Sequence, residues 1–171
     1  NPNITRRMLA MNEIVDRIGK PATKPIQKML GDKKSDAFQK IHGLWILQRL
    51  GALDEKLLVA AAKDSNNLVR VHAMRVLSET GTWTAAQHDL ALRGLQDNFA
   101  YVQRAAADAL GRHPAIENIR PLLDLRHKIP SEDSQLLQTV RMALRDQLAT
   151  EQNLALIQNG ELNEADSRAI A

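Results

Sequence analysis

The residues of this chain most able to do acid–base or metal chemistry are its five histidines, His42, His72, His88, His113 and His127. A zinc site takes three or four ligands, and catalytic helices that hold zinc carry a His-Glu-x-x-His pattern. No such pattern is present, so His42 and His72 form at most a pair. Both sit two residues after a cation, Lys40 and Arg70. The same register continues to Arg7 on one side and Gln103 on the other. Arg7, Lys40, His42, Arg70, His72 and Gln103 are therefore the candidate interaction surface. A row of cations of this kind attracts phosphates or an acidic protein surface. Trp45 and Trp83 are read as core or inter-repeat anchors, with a stacking platform for a ligand as the rival. The carboxylate pairs Asp54-Glu55 and Glu132-Asp133 fall at helix starts, where they complement the helix dipole. No Gly-rich phosphate loop, nucleophile elbow or Ser/His/Asp arrangement stands out. With no cysteine, thiolate metal sites, iron–sulfur clusters and covalent haem attachment are excluded within the sequence. Catalytic, cofactor-binding and metal residues are accordingly not assigned.

The elements that must position these residues are helices. Hydrophobic residues make up 44 % of the 171-residue chain but aromatics only 3 %. An apolar mass of Ala, Leu, Ile and Val with few glycines favours packed helices over sheets. The clearest stretch is DSNNLVRVHAMRVL, Asp64 to Leu77, a turn followed by an amphipathic helix. It returns as DNFAYVQRAAADAL at Asp97 to Leu110, and more loosely as KSDAFQKIHGLWIL at Lys34 to Leu47. A helix-bearing period near 30 to 34 residues marks a helical solenoid, in which no helix pair buries its apolar stripe alone. Second helices are expected at approximately 4–19, 36–50, 67–79, 98–111 and 132–149. First helices are expected at 25–30, 54–63, 83–96 and 114–127, the last kinked or split by Pro121. Short helices are expected at about 151–158 and from Glu161 onward. A small-residue column, Ala10, Gly43, Ala73, Ala106 and loosely Val140, is expected to mark the closest approach of neighbouring second helices. In the cation column, the Asp six residues earlier (Asp64 before Arg70, Asp97 before Gln103) is expected to bond that side chain or to cap the helix.

This Asp-x5-Arg pattern resembles HEAT repeats. The resemblance implies an all-α, α-α superhelix of about four repeats, a single armadillo-like array over residues 1–171, truncated at both ends. The start at Asn1 without Met fits a domain excised from a longer protein. The stretches NPNITRRMLAMNEIVDRIG, HGLWILQRLGALDEKLLVAAAKDSNNLVRVHAMRVL and ELNEADSRAIA further resemble the HEAT segment of large secreted planctomycete proteins described as membrane-bound dehydrogenases or haem-binding proteins. In that family a β-propeller precedes the array and a cytochrome c module follows it. The resemblance implies a periplasmic or extracytoplasmic setting and haem c elsewhere in the parent protein, with no cofactor in this segment. Neither the propeller nor a Cys-x-x-Cys-His motif is present, so no catalytic or haem residue carries over.

Charge divides unevenly. Residues 1–50 hold 10 Lys/Arg against 4 Asp/Glu, and residues 51–171 hold 13 against 16. The functional expectation is a non-catalytic scaffold and protein-interaction domain, a connector whose partners are proteins or flanking domains of its own chain. The rival is a free-standing repeat protein that binds nucleic acid or protein through its basic N-terminal face. The overall charge of +3 disfavours nucleic acid. No apolar run reaches the roughly 20 residues needed to span a membrane.

Overall fold

The computed structural model describes residues 2–150, 153–155 and 163–170. Among them the chain is all-helical, with no strand. The helices are α1 (Ile4–Glu13), α2 (Thr23–Gly31), α3 (Ala37–Arg49), α4 (Glu55–Ala62), α5 (Asn67–Ser78), α6 (Ala85–Gly94), α7 (Ala100–Gly111), α8 (Ile119–Arg126), α9 (Ser134–Leu148) and α10 (Glu164–Ile170). No described helix is long and apolar enough to cross a membrane. The chain divides into two compact units, residues 1–76 and 77–171.

Local chemistry explains the boundaries. Asp36 caps α3 by accepting from Gln39 N at 2.8 Å, and the Gln39 side chain accepts from Asp36 N in return, at 2.8 Å. This reciprocal pair satisfies two orphan donors of the first turn. α3 ends at Gly51, whose φ of 61° is open to glycine. There Ala52 N donates to Leu47 O at 2.8 Å and Gly51 N to Gln48 O at 3.0 Å, which closes the helix in a Schellman motif. Asp54 caps α4 through Leu57 N, and Asp133 caps α9 through Leu136 N. The carboxylate pairs are thus helix starts, as the sequence implies.

Three elements depart from expectation. The first helix does not run evenly to residue 19; Ile14–Ile18 form a π-helical turn. Gly19 N closes it onto Ile14 O at 2.8 Å, one residue wider than an α-turn. α6 starts at Ala85, two residues later than expected, because Thr84 makes the capping box with Gln87. The region 114–127 does split, but at Asn118–Ile119, between a 3₁₀ turn (Ile116–Asn118) and α8. Pro121 then lies in the first turn of α8, where its missing N–H costs nothing. Of the helix expected at 151–158, only 153–155 fall within the described residues.

In the first unit α2 lies against α3, and α3 also meets α1. Leu44, Leu47, Leu58 and Val69 are buried there. In the second unit α6 packs on α7, α8 on α9, and α7 on α9. Leu110, Leu122, Leu123 and Leu144 are fully buried. The small-residue column behaves differently from its expected role at two places. Ala10 is exposed. Gly43 faces the preceding first helix: a Cβ there would lie 2.7 Å from Met29 Cε and 3.0 Å from Leu30 Cδ2. In the second unit, second helices come close at Gly111, where an added Cβ would meet Ala143 Cα at 3.2 Å.

Candidate interaction surface

Lys40, on α3, extends its ammonium to Asp64 Oδ2 at 2.6 Å, with the two side chains 24 % and 12 % exposed. Asp64 opens the turn before α5. Its other oxygen accepts from Asn66 N at 2.9 Å, and Asn66 Oδ1 accepts from Leu68 N at 3.0 Å. These bonds hand the first turn of α5 its missing acceptors. Arg70 reaches back from α5, donating from Nη1 to Asp64 O at 3.0 Å. Burial raises the Asp64 pKa, but the Lys40 bond, the Asn66 N–H and the charges of Lys40 and Arg70 outweigh it and hold the carboxyl below its ordinary value. Asp64 thus fastens its turn three ways: carboxylate to Lys40, carboxylate to the helix start, carbonyl to Arg70.

The second unit repeats two of the three bonds. Asp97 Oδ1 accepts from Phe99 N at 2.9 Å, and Gln103 Nε2 donates to Asp97 O at 2.9 Å. The six-residue spacing therefore works through the main-chain carbonyl, while the carboxylate caps. An uncharged Gln replaces Arg at this position because the bond needs a donor and not a charge.

Arg7 is engaged differently. Its guanidinium lies 4.3 Å over the Phe38 ring. Nε donates to His42 Nε2 at 3.2 Å and Nη1 to Pro2 O at 2.9 Å. His72 Nδ1 accepts from Trp45 Nε1 at 3.0 Å, with the rings edge to face at 6.3 Å. Each histidine of the pair has one nitrogen lone pair occupied by an N–H donor, so its other nitrogen carries the hydrogen in the neutral form. Burial, then Arg7, lowers the His42 pKa. Burial, then Arg75 and His42, pulls His72 down to about 4. Both are neutral at pH 7. A metal at this pair would have to displace Arg7 and Trp45, and among the described residues no group of three His, Cys, Asp or Glu is placed to hold one.

The six sequence candidates thus separate. Arg7, Lys40, His42, Arg70 and His72 lie in the first unit in intramolecular bonds. Gln103 lies in the second, in the bond equivalent to that of Arg70. Neither indole lies in the core; both are half-buried. Each is tied within its own unit, Trp45 to His72 and Trp83 to Leu77 O at 3.0 Å and to the His113 ring, with centroids 3.9 Å apart.

Two polar clusters escape sequence reading. Gln147, fully buried, accepts from Ala115 N and Asn118 Nδ2 and donates to Leu110 O, at 2.8, 2.9 and 2.8 Å. Asp166, also buried, takes a two-pronged Arg120 bond at 2.9 and 3.2 Å and lies 2.8 Å from His127 Nε2. The Arg120 and His127 bonds hold its pKa at about 2. This cluster ties α10 to α8. In sequence these residues read as polar helix surface, and only the packed neighbours mark them as interior.

Compared with protein families and with curated proteins, the chain matches no family model and no curated protein.

Proposed function

We propose that the chain is a HEAT-like helical repeat array that acts as a non-catalytic scaffold and protein-interaction module. In this reading it is a connector within a larger extracytoplasmic redox protein. The observation that carries the repeat reading is the recurring turn fastener. Arg70 to Asp64 O and Gln103 to Asp97 O are the same bond 33 residues apart, each with the Asp side chain capping two residues on. A bond that recurs at the repeat period belongs to the repeat's construction. It also gives the cation column an internal role, which favours a scaffold over a phosphate-binding stripe. The redox setting rests on the resemblance of residues 1–110 and the tail to the planctomycete proteins.

Small-angle scattering tests the array. A compact globule of this length has a radius of gyration of about 15.5 Å. A stacked array gives a clearly larger value; a radius at or below that of the globule rules it out. The redox setting is tested on the natural full-length protein by intact mass and haem absorbance. A much larger chain with covalent haem supports the connector role, and a small haem-free chain removes it.

A further inference from the structure

The first unit holds a cavity of about 180 Å³ between α1 and α3. Ala10 and Met11 line it from α1, Ile14 from the π-helical turn that follows, and Ile46 from α3. Phe38 forms a wall and is 48 % exposed. A dry cavity of about 150 Å³ accommodates a benzene ring, so this hollow has room for one apolar side chain. Phe38 is also not an isolated surface aromatic. It is the second residue of α3, and the second residues of α5 and α7 are Leu68, 45 % exposed, and Tyr101, 52 % exposed. All three stand two residues before the Lys40, Arg70 and Gln103 column. First turns of helices favour acidic side chains, yet this position carries a large exposed apolar one three times.

Charge at the mouth is directional. The Arg7 guanidinium is fixed over Phe38 by His42 and Pro2. Asp36 also borders the cavity, but its carboxylate caps α3 through Gln39 N, where the helix dipole offsets it. No other described residue lining the cavity carries a charge at pH 7, His42 being neutral. We infer that the Phe38 cavity is a docking socket for one apolar side chain on an acidic segment of a partner protein. The apolar group buries against Met11, Ile14, Ile46 and Phe38, and flanking carboxylates face Arg7. This rests on reading the chain as an interaction module, but scattering tests the array independently, so either can fail alone.

The test is fluorescence polarisation with a labelled acidic peptide carrying one phenylalanine. Saturable binding is expected, weakened about tenfold or more when the peptide's phenylalanine becomes alanine. Phe38→Ser should weaken it similarly, and Arg7→Gln should weaken it and flatten its salt dependence. Ala10→Trp, which fills the socket and keeps Phe38, should block it. Melting curves confirm that each variant folds. No saturable binding, equal affinity for the alanine peptide, or indifference to both Phe38→Ser and Ala10→Trp overturns the proposal. So does a preference for duplex DNA over the peptide, or self-association that Ala10→Trp abolishes, which would make a second copy the occupant.

Discussion

His72 is held neutral by its surroundings, chiefly by burial and then by Arg75 and His42, which together take its pKa from 6.5 to about 4. The unfolded chain binds a proton near 6.5, whereas the native chain does not until about 4. Stability from the neutral ring is therefore full above pH 6.5, declines as pH falls toward 4, and declines no further below that. Asp166 shows the carboxylate case. Its native form is the anion, so its contribution is full above 3.8 and is lost only as pH falls toward 2. The two windows barely overlap. Melting temperature is expected to drop between pH 6.5 and 4. In His72→Gln, whose amide oxygen still accepts from Trp45, that drop should shrink by up to one proton's worth of slope. A variant with an unchanged profile would show that another group binds the proton. At this scale the sequence is informative about types and not about partners. It places His42 and His72 in register, yet only packing reveals that Arg7 and Trp45 occupy their lone pairs.

Helix contacts are where sequence and structure diverge most instructively. The second helices begin close to where the 3.6-residue periodicity puts them, because capping groups such as Asp36 and Asp133 are local in sequence. What lies opposite a small residue is not local. Gly43 reads as a contact between second helices but faces α2; Gly111 ends the helix expected at 98–111 and sits against α9. The two glycines answer differently to alanine. At Gly43 the new methyl meets Met29 Cε at 2.7 Å and the Leu30 side chain from 3.0 Å, both movable ends. Alanine also gains about 1 kcal/mol in helix preference. Gly43→Ala should therefore change stability by less than about 1 kcal/mol. At Gly111 the methyl meets the α9 backbone at Ala143 Cα, 3.2 Å away. Gly111→Ala should cost about 1–2 kcal/mol by forcing α7 from α9. Urea midpoints measure both, and the reverse order would refute these helix contacts. The π turn at Ile14–Ile18 and the start of α6 at Thr84 were illegible for a related reason: each turns on a choice between near-equivalent hydrogen bonds.

For the molecule as a whole, one indole reports on each unit: Trp45 on the first through its bond to His72, Trp83 on the second through its stack on His113. In a stacked array, stability is a sum of repeat terms and neighbour terms, and a short array with strong neighbour terms unfolds as one. Trp45→Phe and Trp83→Phe, each leaving a single reporter, are expected to give urea transitions whose fluorescence midpoint coincides with the midpoint from circular dichroism. Fluorescence and dichroism midpoints that separate within each variant would show two independent folding units. The turn fasteners carry a further consequence, for the order of events during synthesis. Lys40 meets Asp64 across 24 residues, Trp45 meets His72 across 27 and Arg7 meets His42 across 35. Even the Arg120–Asp166 bond spans only 46. Loops this short close quickly, and chains fold from the N-terminus as they emerge. Lys40 leaves the ribosome near the start of α3, and the rest of that helix follows it before Asp64, the aspartate that its amine will hold, appears. Within each unit, such short spans let a new turn find its partner soon after it is made, so the contacts of that unit need not wait for the rest of the chain.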